Sequence, residues 1–538
     1  MPTAAALLAS ACTALTLFAA PAHGELSPDL VDRLATAAPD QGIPVLVTLT
    51  RQVDGDNYQG RPEALLAALK RTAAATQPQV LDDVSGPVHR FWLVNAIGLT
   101  ATPDEIAALN ADPGVAHVEL DHPVRVAEAT TASAPIETFP DSGAGNWGLA
   151  AMHVPQVWSA TGLNGTGVVL GSIDTGVNAD HPDLAGKVVA WRDFVNGQDT
   201  PYDDNGHGTH TIGTMVGGAA GGRPIGVAPG AKVIVAKAIA ANGVGGGSAL
   251  MSAAQWMTDP DGDPTTADQP VAVNNSWSAD DANDPWFHSI IQRWLQLGIT
   301  PVFAAGNTGP GPSTVGSPAG YPESLAVGAT ADDGTLAEFS SRGPVNWLNL
   351  DGTGPAAGTV ITKPDVVAPG VNITSSVNDG YVAFSGTSMA SPQVAGVLAL
   401  LAQANPAMRG APAEQVLRNS ARDMGPAGMD QRTGAGAVDA LAAVEAVVGP
   451  VTVAQPPQAV FSGRGPVFTR RRIARLRVNV QNGDALRWRV NGGKWSSPTA
   501  AQSRLVRLHF GRNLVEAQAM QGSTMAVRPA RRVVVRKH

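Results

Sequence analysis

The chain of 538 residues carries one cysteine, Cys12. A lone thiol closes no internal disulfide, so stability has to come from core packing, with bound metal as the other recourse. Charged residues are only 15% of the whole, which excludes the highly charged, weakly hydrophobic class of disordered chains. Past the N-terminal segment no apolar run is long enough to span a bilayer. What is plentiful is apolar side chain, at 44%, and glycine, at 60 residues. That is the make-up of a globular α/β protein with many tight turns. At this length three or four units are expected.

Residues 1–24 read as a secretory signal peptide, an apolar segment ending in small residues, although no Lys or Arg precedes the run. A lipobox at Ala9-Ser10-Ala11-Cys12 is the alternative, and the apolar run continues well past Cys12. Residues 25–130 form a small unit. Ile43–Leu49, Phe91–Leu99 and Gly114–Leu120 read as strands, and helices open at Pro62 and at Pro103. The β-α-β-β-α-β-like order fits a split βαβ sandwich of ferredoxin-like α+β type. The Ala-, Thr-, Ser- and Pro-rich stretch at 131–145 reads as a linker. Residues 146–449 alternate apolar strands with Ala-rich helices, which implies a mostly parallel, doubly wound sheet.

Three local patterns carry chemistry. Ser388, in Gly386-Thr387-Ser388-Met389-Ala390-Ser391-Pro392, opens an Ala- and Leu-rich buried helix, with Pro392 expected in its first turn. A serine there has the helix's free N–H groups beside it to receive an anion. A serine nucleophile needs a base. His207, between glycines in Asn205-Gly206-His207-Gly208-Thr209-His210, supplies an imidazole at a cleft edge. The base needs an orienting acid, and Asp174 ends the apolar strand Val168–Ile173. Taken singly, Asp174 is an ordinary turn residue, His207 a loop residue, Ser388 an N-cap and Asn307 a turn asparagine. The order Asp, His, Ser is what lifts them out of that reading.

These motifs resemble those of the subtilisin-like serine proteases: Asp-Thr-Gly at Asp174, His-Gly-Thr-His at His207 and Gly-Thr-Ser-Met-Ala-Ser-Pro at Ser388. Ala304-Ala305-Gly306-Asn307 stands where that family has its oxyanion-hole asparagine. Asn274-Asn275-Ser276-Trp277, after an Asp-rich insertion, is similar to the bacillopeptidase F-like branch. The resemblance implies a subtilisin-like fold and an endopeptidase of proteins and peptides with the triad Asp174, His207 and Ser388. It also implies an oxyanion hole at Asn307 and a precursor whose unit 25–130 is an inhibitory propeptide, cut by the enzyme itself. It puts Gly243, Gly245 and Gly246 along the cleft. Ser276, Trp277 and Ser278, with Gly306, Thr308 and Gly316, surround the P1 side chain, where Trp277 is expected as an apolar wall. A catalytically dead binding protein on the same fold is the rival; a missing triad member would mark it, and none is missing.

No cofactor is expected for the chemistry. Structural calcium is a candidate at Asp183, which matches a family ligand, although the loop expected to complete that site, Gly217–Arg223, lacks the Asn. A second candidate is Asp259, Asp261 and Asp263, recurring at every second residue as in oxygen-ligand loops. Residues 450–538 change character. From 451 on there are 17 Lys and Arg against Asp484 and Glu516, a net +15, while the rest of the chain carries −24. Arg475–Val480 and Leu486–Val490 alternate as half-buried strands do, and Asn491-Gly492-Gly493 signals a tight turn. An Ig-like all-β sandwich is expected, its basic face suited to an anionic cell-surface polymer or to the acidic catalytic unit. No nucleic-acid motif accompanies it.

Overall fold

The computed structural model describes residues 24–81, 86–126, 130–131, 146–452, 458–462, 466–521, 524–525 and 530–537. The expected signal peptide, except Gly24, and the expected linker, except Thr131, lie outside the described residues. The chain divides into two compact units, 1–158 with 163–450, and 451–538 with 159–162.

The first unit is built on seven strands: β1 (Val169–Asp174), β2 (Val188–Asp193), β3 (Lys232–Lys237), β4 (Ala272–Asn275), β5 (Thr300–Ala304), β6 (Leu325–Thr330) and β7 (Val366–Pro369). They lie in the order β7-β6-β5-β4-β1-β3-β2, all parallel. Most are short, continuous runs of apolar and small residues, because helices cover both faces. Three helices matter for the site: α1 (His207–Val216), α2 (Gly247–Trp256) and α3 (Thr387–Ala404). Every residue of α1, and Thr387 through Ala402 of α3, is buried. These two helices pack with Leu170, Val233, Val302 and Val327 in one core.

Pro392 is not in the first turn of α3 but inside the helix. It has no N–H to give the carbonyl of Ser388 four residues back. That carbonyl instead accepts the Ser276 hydroxyl at 3.0 Å.

The N-terminal portion of this unit has a five-stranded sheet. Its order is Glu25–Leu26, Val115–Leu120, Ile43–Leu49, Ala96–Ala101, Val88–Phe91, and only the first pair is parallel. Helix Pro103–Ala111 starts at a reciprocal Thr102–Glu105 capping box. The run Phe91–Leu99, expected as one strand, is a hairpin. Asn95 takes φ +39°, and the buried Gln77 amide donates to Phe91 O and Ala96 O, holding the turn closed. Leu46, Leu65, Leu69, Phe91 and Leu93 share a buried cluster with Ala253, Trp256 and Phe287, so one face of this sheet rests on the larger one's helices.

The second unit is strand-rich. Gln458–Phe461, Ile473–Gln481 and Ser503–Arg507 form one sheet; Val467–Thr469, Ala530–Arg536, Gly511–Gln521 and Ala485–Val490 form another. Phe461, Val478, Trp488, Val515 and Val534 are buried in a common core. Asn491 and Gly492 take φ +52° and +73°, and the chain turns back so that Ser496 N donates to Trp488 O.

Candidate active site

Asp174 is the last residue of β1 and is fully buried. Its Oδ1 accepts from Thr175 N at 2.7 Å and lies 2.7 Å from His207 Nδ1, while Oδ2 accepts from Thr211 Oγ1 at 3.2 Å. His207 is the first residue of α1, whose N-cap, Gly206 at φ +96°, has no side chain to offer. Asp203 does the capping instead. It accepts from Gly206 N at 2.8 Å, Thr209 N at 2.8 Å and Thr209 Oγ1 at 2.7 Å, and ties in Thr175 Oγ1 at 2.9 Å. Facing a carboxylate, Nδ1 carries the ring proton, and Nε2 is left with the basic lone pair. Burial depresses the His207 pKa, but the charge and hydrogen bond of Asp174, with the Asp203 charge behind them, outweigh it and the net shift is upward. Nε2 is buried and has no hydrogen-bond partner among the described residues.

Ser388 is the second residue of α3. Its hydroxyl donates to Ser276 O at 3.3 Å, the return of the bond from Ser276 Oγ to Ser388 O. In the sheet, Asn275 of β4 pairs with Ile173 of β1. The next residues, Ser276 and Asp174, therefore leave neighbouring strands at the same carboxyl edge, and they bring Ser388 and His207 with them. That edge is where open α/β sheets place their sites. Asn307, just past β5 in the loop turned by Gly306 at φ +106°, anchors Oδ1 on Thr387 N and Thr387 Oγ1, each at 2.9 Å.

The cleft beside these groups holds part of the chain itself. Pro123–Val126 is the middle strand between Val244–Gly246 and Trp277–Ser278, antiparallel to both. Val126 N donates to Gly243 O at 3.0 Å. Beyond residues 127–129, which lie outside the described residues, Thr130 pairs with Ser385, three positions before Ser388. Immediately upstream, Asp121 and His122 cap α2, which begins after Gly246 without a side-chain cap: Ser248 N donates to Asp121 Oδ1 at 3.0 Å and Gly247 N to His122 O at 3.0 Å.

Gly243, Gly245 and Gly316 have steric reasons, while a Cβ on Gly246 would meet nothing within 4 Å. A Cβ on Gly243 would stand 2.9 Å from Val126 Cγ2, on Gly245 2.8 Å from Ala238 O, and on Gly316 2.0 Å from Ala279 O. Thr308 is fixed by Thr314 O and Ser341. Trp277 differs from expectation. Its backbone edges the cleft, but its indole is fully buried, edge-on to Phe287 and Phe303 and bonded to Ile173 O. Side chains alternate across a strand, and this one faces inward.

The expected metal residues fall in two places. Asp183 accepts from Ala220 N and from the Tyr381 hydroxyl. In the acidic loop the carboxylates that converge are Asp259, Asp261 and Asp268. Asp263 is turned outward and takes Thr265 N and Oγ1 in a local turn. Sequence reading also missed Asp203, whose signal was an Asp preceding Gly206-His207, and Lys237. The Lys237 ammonium is buried under the site, donating to Thr175 O, Asp204 Oδ1 and Ile239 O; a lysine ending an apolar strand gives no local sign of that.

A buried Asp–His pair and a serine at a helix start, on the carboxyl edge of a parallel sheet, define a serine hydrolase. The chain belongs to the subtilase family of serine endopeptidases, whose profile (Peptidase_S8) matches residues 165–436. It is 34% identical over 435 residues to bacillopeptidase F of Bacillus subtilis (strain 168), covering 72% of this chain and 29% of that protein. It is 30% identical over 382 residues to alkaline elastase YaB of Bacillus sp. (strain YaB), covering 71% and 84%. Serine protease AprX of B. subtilis (strain 168) is 34% identical over 288 residues, 48% of this chain and 62% of AprX. The chain thus spans under a third of bacillopeptidase F and somewhat less than two thirds of AprX.

Proposed function

We propose that this chain is the precursor of a secreted serine endopeptidase that cuts itself to maturity. The observation that carries the reading is the strand Pro123–Val126, which lies between the two cleft strands as a peptide substrate would, with the chain continuing to Thr130 beside Ser385. Residues 1–24 are the signal peptide, 25–130 the inhibitory domain, 131–145 the linker, 146–449 the catalytic domain and 450–538 a basic accessory domain. No helix among the described residues is long and apolar enough to cross a membrane.

In the reaction, the Ser388 hydroxyl leaves Ser276 O, passes its proton to His207 Nε2 and attacks the scissile carbonyl. Asp174 holds the imidazolium that forms. The oxyanion takes hydrogen bonds from the Asn307 amide and the Ser388 N–H. His207 then gives the proton to the leaving amine. Water, deprotonated by the same nitrogen, hydrolyses the acyl-enzyme and restores the serine. Acting on its own chain, the triad cuts between Val126 and Thr130.

The accessory domain is read as a surface for anionic polymer. On its strand Ile473–Gln481, exposed Arg475 and Arg477 alternate with buried Leu476 and Val478. Deleting residues 451–538 should lower adsorption to cells and leave peptide hydrolysis intact.

The test of the main reading compares the wild-type chain with Ser388→Ala. The wild type should hydrolyse casein and yield a new N-terminus between Ala127 and Thr130. Ser388→Ala should remain full length behind the signal peptide and be inactive, by about a million-fold in turnover on the scale of triad removal in subtilisin. Processed, active Ser388→Ala protein would defeat the assignment.

A further inference from the structure

We propose that the loop Asp259–Asp268 is a calcium-class cation site, and that Lys70 of the N-terminal domain fills it with its ammonium group until that domain departs. Asp259, Asp261 and Asp268 each present a carboxylate oxygen, all within 4.8 Å of one another. Three carboxylates so close repel. One cation is already there. Lys70 Nζ pairs with Asp259 Oδ2, donates to Gly262 O at 3.0 Å, and sits 5.2 Å above the ring of Trp92.

A single ammonium does not satisfy this loop. Asp259 is 5% exposed, yet its Oδ1 is buried with no hydrogen-bond partner, and Asp268 Oδ1 is in the same position. A buried carboxylate oxygen without a donor is costly, and an ion that accepts several oxygens removes the cost. Calcium takes six to eight oxygens in flexible geometry. The loop offers three carboxylates and the Gly262 carbonyl, and exposed Asp261 leaves room for water. Magnesium, which wants a near-ideal octahedron and keeps its waters, suits the irregular set less well. The loop is also held in shape. Asp261 N donates to Asp268 Oδ2 at 3.0 Å, and the Asp261 carboxylate accepts Asp263 N and the Thr266 hydroxyl.

Lys70 lies on helix Pro62–Val80, in the part read above as the inhibitory domain. Its departure therefore rests on that reading; the cation preference of the loop does not. The first experiment uses the full chain carrying Ser388→Ala, titrated calorimetrically with calcium chloride after chelation. Lys70→Met in that background should gain one equivalent of calcium binding, at least ~10-fold tighter than with Lys70 present, as the net ligand charge at the site rises. Adding Asp261→Asn with Asp268→Asn should abolish the gain. No gain in Lys70→Met overturns the proposal, and so does a gain that survives the two Asn changes. Neither result depends on whether the chain is a protease. A second measurement stands apart from the folding of Lys70→Met: calcium should raise the melting temperature of the processed enzyme, and less so for Asp268→Asn. Equal shifts in the two also overturn the proposal.

Discussion

Asn307 Oδ1 accepts both the backbone N–H and the hydroxyl of Thr387, each at 2.9 Å. A backbone N–H is always a donor, so the atom facing it must be the amide oxygen, and this fixes which way the Asn307 side chain is flipped. The other end of the amide is then the NH2, a donor. A Cβ on Gly386 would come within 3.3 Å of Asn307 Nδ2. Asn307→Leu should therefore lower kcat by about a hundred- to a thousand-fold, the range for such a donor in subtilisin, and leave KM nearly unchanged, because the bond forms to the oxyanion rather than to the ground-state carbonyl. Thr387→Val, which removes one of the two anchors, should lower kcat less. A loss confined to KM would contradict the role.

Ser276 is expected to matter for folding as well as for the cleft. Its hydroxyl serves the Ser388 carbonyl that Pro392 cannot, and it also meets Ser391 Oγ at 3.1 Å and Asn274 Nδ2 at 3.0 Å. Ser276→Ala strands a buried carbonyl, at a cost of about 1–3 kcal/mol. The double change Ser276→Ala with Pro392→Ala restores a helical N–H and should recover part of that loss. Denaturant midpoints of the uncut Ser388→Ala chain and its variants test this; no recovery would mean that the cost lies elsewhere.

His288 gives the fold a pH dependence of predictable sign. Its side chain is buried, with Nε2 at 2.7 Å from Glu323 and Nδ1 at 2.7 Å from Asp351, so both nitrogens donate and the ring is cationic. Burial opposes that charge, but the two carboxylates prevail and raise the pKa from 6.5 to about 9. A histidine whose pKa is raised on folding adds stability that is complete below the unfolded value near 6.5 and is lost as pH climbs through about 9. The melting temperature of the wild-type chain should exceed that of His288→Gln most at pH 6, and the gap should narrow between pH 7 and 10. A constant gap would show that the charge contributes nothing.

The parts legible in the sequence were those whose chemistry is local. Asp174, His207, Asn307 and Ser388, the proposed catalytic residues, each sit in a short string rich in glycine and small residues, and the structure brings Asp174 and His207 into contact. The parallel sheet was legible for a related reason, since most of its strands are short runs of apolar and small residues and helices separate the strands from β2 through β5, although none lies between β1 and β2 or between β5 and β7. What escaped depends on contacts distant in the chain. Asp268 joins Asp259 only when the loop closes, and the every-second-residue spacing pointed to Asp263 instead. Pro392 looks like a first-turn proline until Ser276, 112 positions away from Ser388, is seen to take up the carbonyl it leaves. The Phe91–Leu99 run hid a hairpin because its turn, Trp92 to Asn95, is itself largely apolar and packed. Trp277 was placed on the cleft by its string, but which face of a two-residue strand looks inward is decided by Phe287 and Phe303.

The burial of Trp277 also bears on specificity. With the indole in the core, the walls of the proposed P1 slot are backbone at Ser276–Ser278, Gly306 and Thr308, and Gly316, where an added Cβ would stand 2.0 Å from Ala279 O. No Asp or Glu occurs in 304–308 or 314–319. A Lys or Arg side chain entering this slot would lose its water and find no carboxylate, a heavy penalty for an unpaired cation. An apolar or medium-sized side chain loses nothing of the kind and gains roughly 25 cal/mol for each Å² of apolar surface buried. The processed enzyme should therefore cut an unfolded protein mainly after residues such as Leu, Phe or Met. Mass-spectrometric mapping of the cleavage sites decides it. Cutting mainly after Lys or Arg would mean that a carboxylate from outside these two segments reaches the slot, and the pocket assigned here would be the wrong one.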